Sequence, residues 1–171
     1  MAFLREKDAE ALRKRFESLE KPVHLINFTQ EIECLYCRET RMLLEEVASL
    51  SDKLDVQIYN LQLDKEKALY YQVDKIPATV VMADEDVGIR FYGIPSGYEF
   101  ASLLESIELV STGKSPLKAD VLKKIQNIDK EVHIQVFVTP TCPYCPAAVT
   151  TAHLFALANP KIKADMVEIT E

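Results

Sequence analysis

The chain has 171 residues, 48% hydrophobic and 27% charged, with a net charge of −7. That is enough apolar material for one domain or two small ones, and too much for a disordered chain. The acidic balance excludes a global basic footprint for nucleic acid or anionic membrane, and no apolar run approaches the roughly 18 residues of a membrane span. The segment from Met1 to Asp8 is charged almost at once and lacks the apolar stretch of a secretory signal, so a cytoplasmic protein is expected, with neither nucleic acid nor membrane as partner.

In chain order, residues 5–20 place Leu12, Phe16 and Leu19 on one face and predict an amphipathic helix, stopped by Pro22. Residues 23–28 are apolar and β-branched, a strand short enough to be buried on both faces. A helix follows at 38–50, carrying Met42, Leu43, Val47 and Leu50. Then come a strand at 55–61, a short helix at 64–71, and a hairpin of strands 78–83 and 89–93. A helix at 97–111 precedes a linker, Thr112 to Pro116. Beyond it the pattern predicts helix 117–128, strand 132–138, helix 146–158 and strand 164–170. The first eight elements read as a parallel β-α-β followed by a hairpin and a helix, giving a mixed sheet with helices on both faces.

The chain repeats itself. Leu19 and Ile128, Val23 and Val132, His24 and His133, and Phe28 and Phe137 each lie 109 residues apart. Both runs end in a C-x-x-C: Cys34-Leu35-Tyr36-Cys37 and Cys142-Pro143-Tyr144-Cys145, offset by 108, so the first copy carries one extra loop residue. These are two copies of one supersecondary unit. The expected division is residues 1–113 and 114–171.

In each copy the cysteine pair falls between the first strand and the following helix. There a thiolate faces unpaired backbone N–H groups and the positive end of the helix dipole, which lower its pKa. Cys34 and Cys142 are therefore the expected nucleophiles. Cys37 and Cys145, one turn further in, are expected to be more buried and to resolve the mixed disulfide. Pro143 suits a first helical turn, and Tyr36 and Tyr144 flank the sulfurs or are surface aromatics. Glu31 and Glu33 disfavour a thiolate at Cys34, partly offset by Arg38, whereas Cys142 has no charged neighbour; Cys142 is expected to have the lower pKa. A zinc site is a competing class, but its C-x-x-C pairs are usually about 15–20 residues apart. Here 104 residues separate Cys37 from Cys142, so no metal is expected. A purely structural role for the cysteines is a further alternative. His24 and His133 read as sheet-edge histidines, and His153 as a surface residue.

With Ile76-Pro77-Ala78-Thr79-Val80-Val81, the run Gly88 to Gly97, and Phe155 to Asn159, the two cysteine motifs make the sequence resemble the protein disulfide oxidoreductases of thermophilic bacteria and archaea, glutaredoxin-like tandem proteins. The resemblance covers the whole chain. It implies an α/β fold of tandem thioredoxin-like units, each a mixed four-stranded sheet flanked by helices. It also implies a cis Ile76–Pro77 bond facing the first cysteine pair and presenting backbone to substrate. The implied activity is reduction, formation and isomerisation of protein disulfides, with electrons from a thioredoxin-reductase-like flavoenzyme and no cofactor beyond the redox-active disulfides. The flavoproteins that reduce peroxiredoxins carry a similar tandem module as an electron relay. The second unit departs from the pattern: it ends after its second strand, as in a truncated form of a longer protein. Strand 132–138 is then an apolar sheet edge, expected to pair with another copy or to dock on the first unit. Only the Cys34 site keeps its proline loop, so it is the one expected to handle protein substrates.

Overall fold

The computed structural model describes residues 3–170. Met1, Ala2 and Glu171, at the ends of the two expected units, lie outside the described residues. The elements are α1 (Glu6–Phe16), β1 (Val23–Thr29), α2 (Cys37–Ala48), β2 (Leu54–Asn60), α3 (Lys65–Tyr70), β3 (Ala78–Met82), β4 (Ile89–Tyr92), α4 (Glu99–Thr112), α5 (Ala119–Gln126), β5 (Val132–Val138), α6 (Cys145–Ala158) and β6 (Ile162–Glu168). The helix ends differ from the sequence expectation by a few residues, most at α1, which stops at its last buried residue, Phe16; α2 and α6 start at the second cysteine of each pair and α4 runs on to Thr112. Gly113 ends α4 in the left-handed conformation, φ 64°, which glycine adopts without a Cβ clash.

The strands form one six-stranded sheet in the order β2-β1-β3-β4-β6-β5. The first four are the expected mixed sheet of the first unit: β1 is parallel to β2 and antiparallel to β3, which is antiparallel to β4. The sheet does not stop at four strands, however. β6 pairs in parallel with β4, Ile89 opposite Ala164 and Phe91 opposite Met166, and β5 pairs in parallel with β6. The second unit therefore docks on the first by extending its sheet, and β5 becomes an edge strand. Gly88 makes the junction possible. It has φ +81°, its carbonyl accepts from the Ala164 N–H at 2.9 Å, and a Cβ there would lie 2.8 Å from the Ile162 carbonyl oxygen.

Side-chain alternation sorts the core into two layers. Leu25, Val81, Ile89, Phe91, Ala164 and Met166 pack against α1, α2, α4 and α6 on one face. Ile26, Phe28, Ala78, Val80 and Tyr92 pack against α3 and Tyr71 on the other. β1 is thus covered on both faces, which explains its nearly unbroken apolar run. In β5 the alternation is visible instead: Val132, Ile134 and Val136 are half-buried, while His133, Gln135 and Phe137 are exposed.

Candidate active site

β1, β4, β5 and β6 all run in the same direction in one sheet. The loops leaving β1 and β5 therefore emerge at the same edge, and α2 and α6 return over the same face. Both cysteine pairs stand on this edge. Four strand spacings separate β1 from β5, about 19 Å at the usual ~4.8 Å per spacing.

Each pair is closed as a disulfide, Cys34–Cys37 and Cys142–Cys145, with a Cα–Cα distance of 5.5 Å in both. The helices begin at the second cysteine, not the first, and Tyr36 and Tyr144 occupy the N-cap positions. Pro143 consequently lies ahead of the helix, and Pro146 takes the first-turn position. Cys34 and Cys142 are half-buried in the loops, open to an incoming group. Cys37 is buried, 1% exposed, as expected of a resolving cysteine. Cys145 is only half-buried, like Cys142. The extra residue of the first copy is absorbed where Glu33 adopts φ 57°, immediately before Cys34.

The surroundings differ between the sites. A cleft of about 580 Å³ adjoins Cys34, lined among others by Thr29, Arg38, Arg41, Asn60 and Leu63. Ile32 and Leu35 stand exposed in the same loop. The Ile76–Pro77 bond is cis. Ala78 pairs with Phe28, so Pro77 lies at the end of β1 from which the cysteine loop departs. The Pro77 carbonyl accepts from the Gly93 N–H at 2.9 Å, fixing this corner to β4.

At the second site the supporting segment comes from the other unit. The Tyr98 N–H donates to the Pro140 carbonyl, two residues before Cys142, at 3.2 Å. Gly97, with φ +59°, lets the loops meet, since a Cβ there would lie 2.5 Å from the same carbonyl oxygen. Tyr144 is 85% exposed and Tyr98 is also exposed, while Tyr36 is half-buried against the core.

His24 and His153 depart from expectation, whereas His133 is the expected sheet-edge histidine. His24 is on the internal strand β1, not at a sheet edge, and pairs with Asp55 of β2. His133, on the edge strand, pairs with Asp165 of β6. Both stand near the strand starts, at the opposite end of the sheet from the sulfurs. His153 is fully buried, not a surface residue. Its Nδ1 is 2.9 Å from the Ser106 hydroxyl, and its ring packs edge-on against Phe91 at 5.0 Å. Burial pushes its pKa down to about 3. Glu99, 1% exposed, follows the Gly97–Tyr98 contact; burial raises its pKa against an opposing hydrogen bond from Ser102. Sequence periodicity carried both signals. Glu99, Leu103, Ser106 and Ile107 share one helical stripe, as do Val149, Ala152, His153 and Ala156.

A fold of this topology with a C-x-x-C at each strand–helix junction defines a tandem thioredoxin-type protein. A family profile for the thioredoxin domain matches residues 132–171. The NTD_N/C domain of alkylhydroperoxide reductase AhpF from Enterococcus faecalis superposes with a TM-score of 0.89 at 32% identity, covering 98% of this chain and 81% of that one. A protein disulfide oxidoreductase from Aeropyrum pernix superposes with a TM-score of 0.90 at 29% identity, covering 99% and 77%. An NADH dehydrogenase of Ferdinandcohnia aciditolerans is 32% identical over 126 residues, 74% of this chain and 22% of that protein. The chain spans less than a quarter of the length of the curated relatives it matches. The chain belongs to the thioredoxin-fold disulfide oxidoreductase family.

Proposed function

We propose that the chain is a two-site dithiol–disulfide exchanger, acting in the cytoplasm, that takes electron pairs from a thioredoxin-reductase-like flavoenzyme and delivers them to protein disulfides. The observation that carries this reading is the placement of two closed cysteine pairs on one sheet edge, each at a helix start with its first sulfur half-exposed. Exposed apolar side chains in or beside the two loops, Ile32, Leu35 and Tyr144 among them, suit the contact surface of another protein. The units are taken as residues 1–113 and 114–171.

In this reading the reduced Cys34 or Cys142 attacks a substrate disulfide as thiolate. One substrate sulfur leaves as thiolate and a mixed disulfide forms. Cys37 or Cys145 then attacks the first cysteine's sulfur, releases the second substrate thiolate and closes the disulfide. Two electrons and two protons pass to the substrate, and the flavoenzyme restores the dithiol. The electrons travel on the cysteine sulfurs, so the chain uses no further cofactor and no metal. Ile76 and Pro77 offer backbone to the substrate segment at the first site, and Tyr36 and Tyr144 flank the sulfurs.

The names of the relatives favour a second, narrower reading. An NADH dehydrogenase and an alkylhydroperoxide reductase suggest a relay between a nicotinamide-dependent flavoprotein and a peroxide-reducing partner. Dithiothreitol-driven reduction of insulin by the parent, Cys34→Ser and Cys142→Ser proteins separates the sites. Loss in Cys34→Ser with survival in Cys142→Ser assigns protein substrates to the first site. Inactivity of all three against insulin, with turnover when a flavoprotein and a peroxiredoxin are supplied, favours the relay.

A further inference from the structure

Among the described residues, three buried side-chain oxygens on β1, α2 and β3, the elements that flank the first cysteine loop, lack a hydrogen-bond partner: Asn27 Oδ1, Thr40 Oγ1 and Thr79 Oγ1. All three residues are 0% exposed. Asn27 and Thr79 are directly opposed in the β1–β3 ladder, so their side chains stand together on one face of the sheet. It is the face of Leu25 and Val81, which packs against α2. Thr40 lies three residues after Cys37 on α2, and both belong to the buried stripe of that helix. A helical threonine ordinarily turns its hydroxyl back to the carbonyl of the preceding turn; here it makes no such bond. The Asn27 amide is fixed from the other side, its Nδ2 donating to the Ala78 carbonyl at 3.0 Å, beside the cis proline. Three unpaired buried oxygens are costly unless a further group meets them.

We infer that Asn27, Thr40 and Thr79 form a neutral polar pocket beneath Cys37 that receives its sulfur when the disulfide opens. The inference rests on Cys37 as the resolving cysteine of the first site. A hydroxyl donates to a thiolate and accepts from a thiol, so the pocket serves both protonation states of a buried sulfur without adding charge. A carboxylate in the same place only accepts, and disfavours the thiolate by like charge. When Cys37 loses its proton and attacks Cys34 Sγ in the mixed disulfide, the Cys34–substrate bond breaks as the Cys34–Cys37 bond forms. The two hydroxyls donate to the Cys37 sulfur while it is charged, and its proton is taken up by the substrate sulfur that leaves as thiolate. These three residues position and tune Cys37; none contacts substrate.

The test reads the Cys37 thiolate directly, by its ultraviolet absorbance against pH, in the Cys34→Ser chain with Cys142 and Cys145 also changed to Ser. Thr40→Val and Thr79→Val preserve shape and remove the hydroxyl. Each is expected to raise the Cys37 pKa by about one unit, a tenfold loss of thiolate at a given pH. In the otherwise native chain each is expected to slow resolution of a mixed disulfide trapped on Cys34, while leaving alkylation of Cys34 unchanged. Thr→Ser at either position restores the parent behaviour. Asn27→Asp, which keeps the shape, is expected to raise the Cys37 pKa further and to add a second titration to the resolution step. An unchanged Cys37 pKa in folded Thr40→Val, Thr79→Val and Asn27→Asp overturns the inference. A Cys37→Ser chain that still completes exchange at the first site overturns the underlying reading instead.

Discussion

His153 ties the two units together, and its protonation gives the sharpest prediction about stability. It sits on α6, meets Ser106 of α4 and packs edge-on against Phe91 of β4, so the second unit's helix is pinned to two elements of the first. Its pKa falls from 6.5 to about 3 because burial disfavours the imidazolium. The unfolded chain therefore binds a proton that the folded chain excludes throughout that interval. Stability rises with pH there and falls on acidification, by about 1.4 kcal/mol per unit. Over the whole window this amounts to on the order of 5 kcal/mol, comparable to the entire stability of many domains. Glu99 acts with the opposite sign, since burial raises its pKa and the folded chain takes up its proton first. Asp86, held low by Arg90 despite its burial, acts in the same direction as His153 but only in the carboxylate range. The clean comparison is the parent against His153→Leu/Ser106→Ala, which leaves no hydroxyl unpaired and keeps every other titrating group. Urea unfolding followed by circular dichroism suits a chain with no Trp. Between neutral pH and about 4.5 the parent is expected to lose about 2–3 kcal/mol more than the variant. Parallel stability–pH curves for the two proteins would refute the argument.

Gly88→Ala places a Cβ against the Ile162 carbonyl at the β4–β6 junction and forces a left-handed backbone on a non-glycine residue; a loss of about 1–3 kcal/mol in urea unfolding is expected. Gly97→Ala is expected to impair exchange at Cys142 more than at Cys34, because it disturbs the contact with Pro140; site-specific alkylation of the reduced protein measures this. Iodoacetamide titration of chains with a single nucleophilic cysteine is expected to give Cys142 the lower pKa, and a lower value for Cys34 would refute the local-charge argument. Among the described residues the outer edge of β5 carries no paired strand, and it exposes Phe137, so light scattering is expected to show concentration-dependent self-association, reduced by Phe137→Lys.

The cysteine pairs, the strand–helix order and the proline corner were legible because each is local. A C-x-x-C after a strand and a proline before one are read within a few residues. Docking of the second unit on the first was one expectation, but through strand 132–138; the pairing of β4 with β6 was not legible. It depends on β4 and β6, separated in sequence by α4, α5, β5 and α6, finding each other side by side. Strand periodicity says which face is buried and nothing about which edge is paired. The local trace of the junction was Gly88, which the hairpin alone already accounted for. His153 was misjudged, and Glu99 was not singled out, for a related reason. A polar residue on an apolar stripe reads as surface until a second helix covers it, and α4 and α6 cover each other only once the sheets have joined.

That joining also fixes what the two sites can do for one another. Disulfide exchange needs the attacking sulfur in bonding contact with the disulfide, whereas the strands that carry the two pairs stand about 19 Å apart in one sheet. β3, β4 and β6 lie between them, hydrogen-bonded throughout, and α4 packs across the same face. A hinge between the units would have to break the β4–β6 ladder to bring the sulfurs together. Direct exchange between Cys34 and Cys142 within one folded chain is therefore excluded by the arrangement. In the proposed exchange reading, each site then meets its electron donor and acceptor on its own, or through a mobile carrier that visits both. Because both face the same edge, such a carrier could serve them without the chain turning over.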